Sequence, residues 1–575
     1  MTKILLMNIP STPIPVDFPP IGISRVIEGI DSSLNCEVSF FNLDYYRPTF
    51  EEIKDKIQSF SPQIIGFSAI LTPTYAYLKK LSKFIKEHFP NIIQVMGGEM
   101  SVISNIILLK TGISFCVIGE SEPTFSNLIR KLQQDNFQPL NIEDYVNIKG
   151  LAFLRNNLPY FTGYEKENTQ NALRQFNYTL MSKFTNLDYY IHKVADQSGN
   201  NGRMRAQSLN EFLNLLYPDN RNKNQGTVVA SKGCVNKCTF CYRFFKGYKV
   251  INPDEVINYI ENLKKDCNVG MILFSEENFG TDKKSTSRLL EYLKNSGLNW
   301  AGCAVRVKTV NEQTIRDWKE AGCVHINFGI ESFSQKMLNV MQKNATVEEN
   351  LNAIKLCNKY NILTIPGVVI GMPGETEETI QETIDNWSTV VPDDINMPFE
   401  KYINFVQAVP GTPLYEYARR IGLLPQSLED EEKYIESLWE VNADEIKQYL
   451  NFTDYEKEEV AYWEYYIYFE LIVAYIKKHG YVKVLKHKKA KDFRFKAGFI
   501  YMLFPKKVRK FLLKYLMVVK FFGVSRLPYI FVKKVFVKKN KFFATIDISL
   551  RKVNQGIPAP VREDEVSTAI IREGR

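Results

Sequence analysis

Three cysteines, Cys234, Cys238 and Cys241, fall within eight residues of the stretch SKGCVNKCTFCY, with no fourth cysteine near them. Thiolates are soft ligands suited to zinc or iron–sulfur chemistry. A structural zinc site closes a tetrahedron with four ligands, usually as repeated C-x2-C pairs. Here the second pair is missing, because the nearest other candidates, Cys267 and Cys303, belong to different repeats of the chain. Three thiolates on a 4Fe-4S cluster leave one iron open to an outside ligand, and C-x3-C-x2-C on a single loop supplies that arrangement. Nine cysteines scattered over 575 residues do not make a disulfide framework, so reduced thiols are expected. Cys36, Cys116, Cys267, Cys303, Cys323 and Cys357 read as small buried hydrophobes.

The elements that must carry this loop are legible as two runs of alternation. Residues 1–135 alternate short apolar stretches (KILLMNI, CEVSFFNL, IIGFSAI, IIQVMGG, FCVIGE) with amphipathic helical ones such as TYAYLKKLSKFIKEHF. That pattern predicts an α/β fold beginning with a doubly wound, flavodoxin-like parallel sheet. Such sheets bind ligands at the C-terminal ends of their strands, where Ser68, Gly97, Gly98, Gly119 and Glu120 fall. No G-x-G-x-x-G follows the first strand, which speaks against a dinucleotide. Residues 136–225 lack a period and include the polar stretches DQSGNNGRMRAQ and YPDNRNKNQG, read as a connecting region. From 226 to 424 alternation returns at GTVVAS, GMILFSEE, WAGCAVR, CVHINFGIE, ILTIPGVVIGM and INFVQAV. Six βα units in series predict a (βα)6 partial TIM barrel with its chemistry at the strands' C-terminal ends, and the cysteines follow its first strand. Residues 425–575 turn helical, aromatic and then basic.

With the triplet placed there, the sequence resembles the radical S-adenosylmethionine (radical SAM) superfamily. Further matches follow in order: LFSEENF, AVRVKT, NFGIESFS and GVVIGMPGET at the ends of the second to fifth strands. The resemblance implies Cys234, Cys238 and Cys241 as ligands of a 4Fe-4S cluster, with SAM chelating the open iron. Reduction of the cluster would then split SAM to a 5′-deoxyadenosyl radical. It implies Phe240 near the adenine, and Glu276, Arg306, Glu331 and Ser334 as residues binding the cofactor. Read as residue types alone, Glu276 and Glu277 are equally solvated loop acids, and Arg306 is equally a partner of a neighbouring acid. Glu331 and Ser334 are stronger, since a carboxylate and a hydroxyl at a barrel mouth suit an ammonium or a ribose hydroxyl. No catalytic side chain is legible.

The N-terminal stretches FPPIGISRVIEGI, PQIIGFSAI, VMGGEMS and FCVIGESEPTF resemble the cobalamin-binding domain that precedes the barrel in one radical SAM subgroup. The Asp-x-His-x-x-Gly motif of cobalamin proteins is absent; His88, in KEHFP, reads as a surface histidine. The subgroup implies a cobalamin-dependent enzyme that methylates an unactivated carbon of a small-molecule or peptide substrate, served by a reducing partner such as flavodoxin or ferredoxin. A radical SAM cyclase or oxidative enzyme is the alternative, and a non-catalytic corrinoid-binding or membrane-associated protein is the alternative of another class.

Composition agrees with a packed, multidomain protein: 45% of residues are hydrophobic and 24% charged. The net charge of +9 is uneven, because residues 477 to 541 hold 21 Lys and Arg against one acid, Asp492. That segment carries +20, and the remainder is therefore acidic. Lysines interleaved with Phe, Leu, Tyr and Val in KKVRKFLLKYLMVVKFF suit either a solvated face or a peripheral contact with an anionic membrane. No nucleic-acid motif accompanies the charge. The start, MTKILLMNIPSTP, lacks the pattern of a secretion signal, and a cytoplasmic location is expected.

Overall fold

The computed structural model describes residues 1–11, 15–70, 74–139, 142–164, 174–191, 220, 222–242, 247–397, 399, 402–424, 427–438, 449–487 and 493–522. The polar stretch expected over 196–207 and the tail beyond 522 lie outside these residues.

The first sheet contains β1 (Thr2–Asn8), β2 (Cys36–Phe41), β3 (Ile64–Ser68), β4 (Ile93–Gly97) and β5 (Phe115–Val117), all parallel, in the order β2-β1-β3-β4-β5. In β1, Ile4, Leu5, Leu6 and Met7 are all buried, the continuous apolar run of a strand covered by helices on both faces. Local signals agree with this, as in the helix Phe50–Phe60, which opens with a reciprocal Thr49–Glu52 capping box. The strand order reverses between β1 and β3, which makes the crevice above their C-terminal ends the natural ligand position. The sheet does not stop at residue 135: β6 (Leu151–Arg155) pairs antiparallel with β5, and β7 (Leu158–Phe161) with β6. This hairpin lies in the region read from sequence as a connection.

The barrel strands β8 (Asn224–Val228), β11 (Val269–Phe274), β12 (Asn299–Val305), β13 (Cys323–Phe328) and β14 (Leu363–Thr364) are parallel in that order. The fifth strand is broken after β14, where Pro366 removes a donor, and resumes as β15 (Gly367–Ile370) beside β16 (Tyr402–Phe405). A parallel bridge between Glu331 and Val368 ties β15 back to the end of β13. All six predicted βα units are present, and they form the partial barrel. Between β8 and β11 the chain makes a small antiparallel pair, β9 (Ser231–Gly233) with β10 (Tyr248–Val250).

The described residues of the C-terminal region are mainly helical, as expected. The helix Leu428–Ser437 braces both domains. Tyr75 Oη donates to Glu432 at 2.6 Å and Lys79 pairs with Glu432 at 2.7 Å on the N-terminal side, while Tyr434 Oη donates to the Ala408 carbonyl of the barrel at 2.8 Å. The long helix Lys457–His479 packs on the barrel helix Glu377–Ser388, where Tyr466 Oη donates to Gln381 at 2.8 Å. Among the described residues no helix is long and apolar enough to cross a membrane.

Candidate functional site

Cys234, Cys238 and Cys241 occupy the loop that leaves β9. Gly233 opens it at φ +82°, a left-handed conformation that suits glycine. The loop is clamped from two sides: Thr239 N–H donates to the Met341 carbonyl at 3.0 Å, and Leu414 N–H donates to the Thr239 carbonyl at 2.9 Å. Within it Asn236 serves two thiols, its backbone N–H lying 3.4 Å from Cys234 Sγ and its Nδ2 donating to Cys238 Sγ at 3.1 Å. The same Nδ2 donates to the Lys343 carbonyl at 2.7 Å.

Lys343 Nζ pairs with the Glu331 carboxylate at 2.8 Å. Burial pushes the Cys238 thiol up, and Lys343 and then Arg306 pull it down, with Glu331 acting the other way. Cys241 is exposed at the surface yet has protein on most sides. Burial pushes it up to about 12. These couplings gather the three cysteines, Arg306, Glu331 and Lys343 at one end of the barrel. Glu331 is held at φ +65° while it makes the bridge to Val368, a strained conformation for a residue with a Cβ. Among the described residues no three ligands converge on a single metal ion. A cluster does not require that, because each thiolate meets a different iron. A loop of three thiols, two of them facing amide donors and beside a buried cation, fits an anionic iron–sulfur cluster.

Glu276, two residues beyond β11, is buried and accepts from Ala230 N–H at 3.1 Å, while its Oε2 has no partner. Burial pushes its carboxyl up to about 8, so it is largely protonated at neutral pH. Phe240 is half-buried against the barrel core. Ser334 is fully buried, and its hydroxyl donates to Glu382 at 2.6 Å. This hydrogen bond anchors the helix Glu377–Ser388 and commits the hydroxyl away from the cysteines.

On the first sheet Ser68 and Gly97 end β3 and β4, and Gly98 and Gly119 follow at φ +77° and +89°. A Cβ on Gly98 would lie 2.9 Å from the Ala69 carbonyl oxygen. Ser68, Gly97 and Gly98, together with Gly66, Val26 and Phe125, line an apolar cavity of about 100 Å³. Glu120 is engaged elsewhere: Lys232 of β9 pairs with it, and Arg25 approaches it at 3.5 Å. Glu120 thus ties the first sheet to the strand that carries the cysteine loop. Tyr242, next to Cys241, is buried enough to push its hydroxyl up, and the charges of Glu99 and Glu277 push it further.

Sequence reasoning missed Asn236, Lys232, Tyr242 and Lys343. The first was within reach, because it sits inside the triplet. Nothing local distinguishes Lys343, whose role depends on the fold bringing the turn after the helix Gln335–Val340 under the loop.

Residues 228–386 match the radical SAM superfamily and residues 9–129 match the B12 binding domain. The chain therefore carries a B12-binding domain followed by a radical SAM domain, whose cofactors are cobalamin and a 4Fe-4S cluster with SAM. It is 26% identical over 399 residues to an anaerobic magnesium-protoporphyrin IX monomethyl ester cyclase of Cereibacter sphaeroides, covering 65% of this chain and 59% of that protein. It is 28% identical over 391 residues to an uncharacterized methyltransferase of Pyrococcus horikoshii, covering 65% of this chain and 73% of that protein. Its fold is similar to that of the cobalamin-dependent S-adenosylmethionine radical enzyme OxsB with aqua-cobalamin bound, at a TM-score of 0.57 and 16% identity, covering 93% of this chain and 75% of that one.

Proposed function

We propose that this B12-binding radical SAM protein methylates an unactivated carbon of a small-molecule or peptide substrate. The observation that supports this reading is the Lys232–Glu120 pair, which joins the strand-end edge of the first sheet to the strand that leads into the cysteine loop. It ties the edge of the first sheet proposed for the corrinoid to the edge of the barrel proposed for SAM. When bound, the cofactors supply a hydrogen-abstracting radical and a transferable methyl group, chemistry that no side chain here could supply at a carbon without an acidic proton.

The chain's residues bind and orient. Cys234, Cys238 and Cys241 hold the cluster, and Asn236 and Lys343 offset its negative charge. Glu331 and Arg306 receive the ammonium and carboxylate of SAM, Phe240 packs by its adenine, and Glu276 offers a neutral carboxyl as donor. Gly97, Gly98 and Gly119 let the corrinoid approach the backbone. The apolar cavity beside Ser68 would receive an apolar part of the bound corrinoid. A flavodoxin or ferredoxin delivers the electron, and the C-terminal region makes peripheral contact with anionic membrane.

Anaerobically reconstituted protein should show a 4Fe-4S signal that changes on adding SAM. It should also retain cobalamin and transfer labelled methyl from SAM to product. Retention of cluster iron and SAM cleavage by a variant with all three cysteines changed to Ala would overturn the site. The likeness to a cyclase supports a second reading, ring closure without methyl transfer; an unlabelled, oxidised product would favour it.

A further inference from the structure

The helix Lys506–Phe522 is mounted in the reverse of the usual sense. Three of its cations, Arg509, Lys510 and Lys514, face inward. Arg509 makes a two-pronged pair with Glu470 at 2.9 and 2.7 Å, with both side chains buried, and Tyr501 Oη donates to the same carboxylate at 2.9 Å. Lys514 reaches Glu459 at 2.5 Å and Lys510 reaches Glu377 at 3.2 Å. Glu459 and Glu470 are buried acids of the helix Lys457–His479. Leaving such carboxylates unpaired costs far more than exposing apolar groups, so they draw the basic face of the neighbouring helix onto themselves.

Apart from Leu513, which is buried between these cations, the apolar side chains are consequently turned outward. Val508, Tyr515 and Leu516, at helical spacings of seven and eight, are 44%, 41% and 56% exposed, and at the preceding turn Ile500 and Leu503 are 63% and 73% exposed. Among the described residues, ten of the eighteen exposed large apolar side chains lie between 481 and 516. A concentration of this kind marks an interaction surface. Within the segment the charges are of one sign: Lys483, Lys486, Lys496, Lys506 and Lys507 are exposed, and the sole acid from 477 to 516 is Asp492; the exposed Asp393 of the neighbouring segment is paired with Lys478.

We infer that this face docks on an anionic lipid surface by inserting its apolar side chains, with the exposed lysines seated among the headgroups. A plane of lipid is the partner complementary to an apolar face whose own segment carries an excess of exposed lysines. The inference deepens the peripheral contact proposed above and changes its physics: the cations nearest the protein body are used internally, so attachment depends on apolar insertion and only partly on charge.

The test is cosedimentation of the full-length protein with vesicles of phosphatidylcholine and phosphatidylglycerol at low and high salt. The protein should pellet at low salt and remain partly bound at high salt, because screening weakens the lysines and not the insertion. A Leu503→Ser, Leu516→Ser variant should bind at least roughly tenfold more weakly, since each lost side chain is a large apolar group. Its SAM binding should be unchanged, which separates failure of this inference from failure of the radical reading. Absence of binding at low salt, or equal binding by the variant, would overturn the inference. So would light scattering that shows a dimer abolished by these substitutions, because the face would then be covered by a second copy. Absence of binding by the full chain, with binding gained only when residues 523–575 are removed, would overturn it too, by showing that the chain's own tail covers the face.

Discussion

Asn236 Nδ2 donates to Cys238 Sγ at 3.1 Å from a side chain also tied to the Lys343 carbonyl at 2.7 Å. The donor is thus pinned at both ends and points at a cluster ligand. Hydrogen bonds to cluster sulfur favour the reduced, more negative state and raise the potential. Asn236→Ala should therefore assemble a cluster of normal iron content whose midpoint potential falls by roughly tens of mV. Asn236→Asp, which sets a carboxylate beside the thiolates, should lower it further. An EPR-monitored redox titration reads both, and an unchanged potential in the Asp variant would rule the contact out as a tuning element.

Lys343 and Glu331 form a largely buried pair on which the end of β13 closes. Changing Lys343 to Met leaves a carboxylate without its cation at a strained backbone position and should cost about 3 kcal/mol. Denaturant unfolding measures this loss. Glu331→Gln should keep the iron content and lose SAM affinity, read by the change in cluster spectrum on adding SAM.

Glu276 gives a pH signature. Its folded carboxyl titrates at about 8 against an ordinary 4.5. Between these values the folded state holds a proton that the unfolded chain has released, so stability is fully present below about 4.5 and falls as pH rises through about 8. The slope is at most about 1.4 kcal/mol per pH unit. Glu276→Gln cannot titrate, and its stability relative to the parent should grow over that window. Parallel curves for the two proteins would count against a neutral Glu276.

Gly98 has φ +77° and no room for a Cβ, which would sit 2.9 Å from the Ala69 carbonyl oxygen. Gly98→Ala should cost about 1–3 kcal/mol and displace the loop that lines the apolar cavity. Retained cobalamin, followed by visible absorption, should drop, whereas iron content should not.

Much of this protein was legible locally. The cysteine spacing, the five parallel strands of the first sheet and the six barrel strands all announce themselves, because strands buried on both faces read as short apolar runs between capped helices. The hairpin β6–β7 was not legible, since its hydrogen bonds lie at a sheet edge that a period cannot reveal. Pairings across sequence distance were equally hidden: Lys343 under the cysteine loop, and Lys232 against Glu120. Ser334 looked like a ligand for the cofactor from its place at a strand end, and only the position of Glu382 committed its hydroxyl elsewhere. The helix Lys506–Phe522 states the division most clearly. Its sequence determined that one face is basic and the other apolar. Which face turns inward was decided by Glu459 and Glu470, because a buried carboxylate must find a cation before an apolar face must find cover.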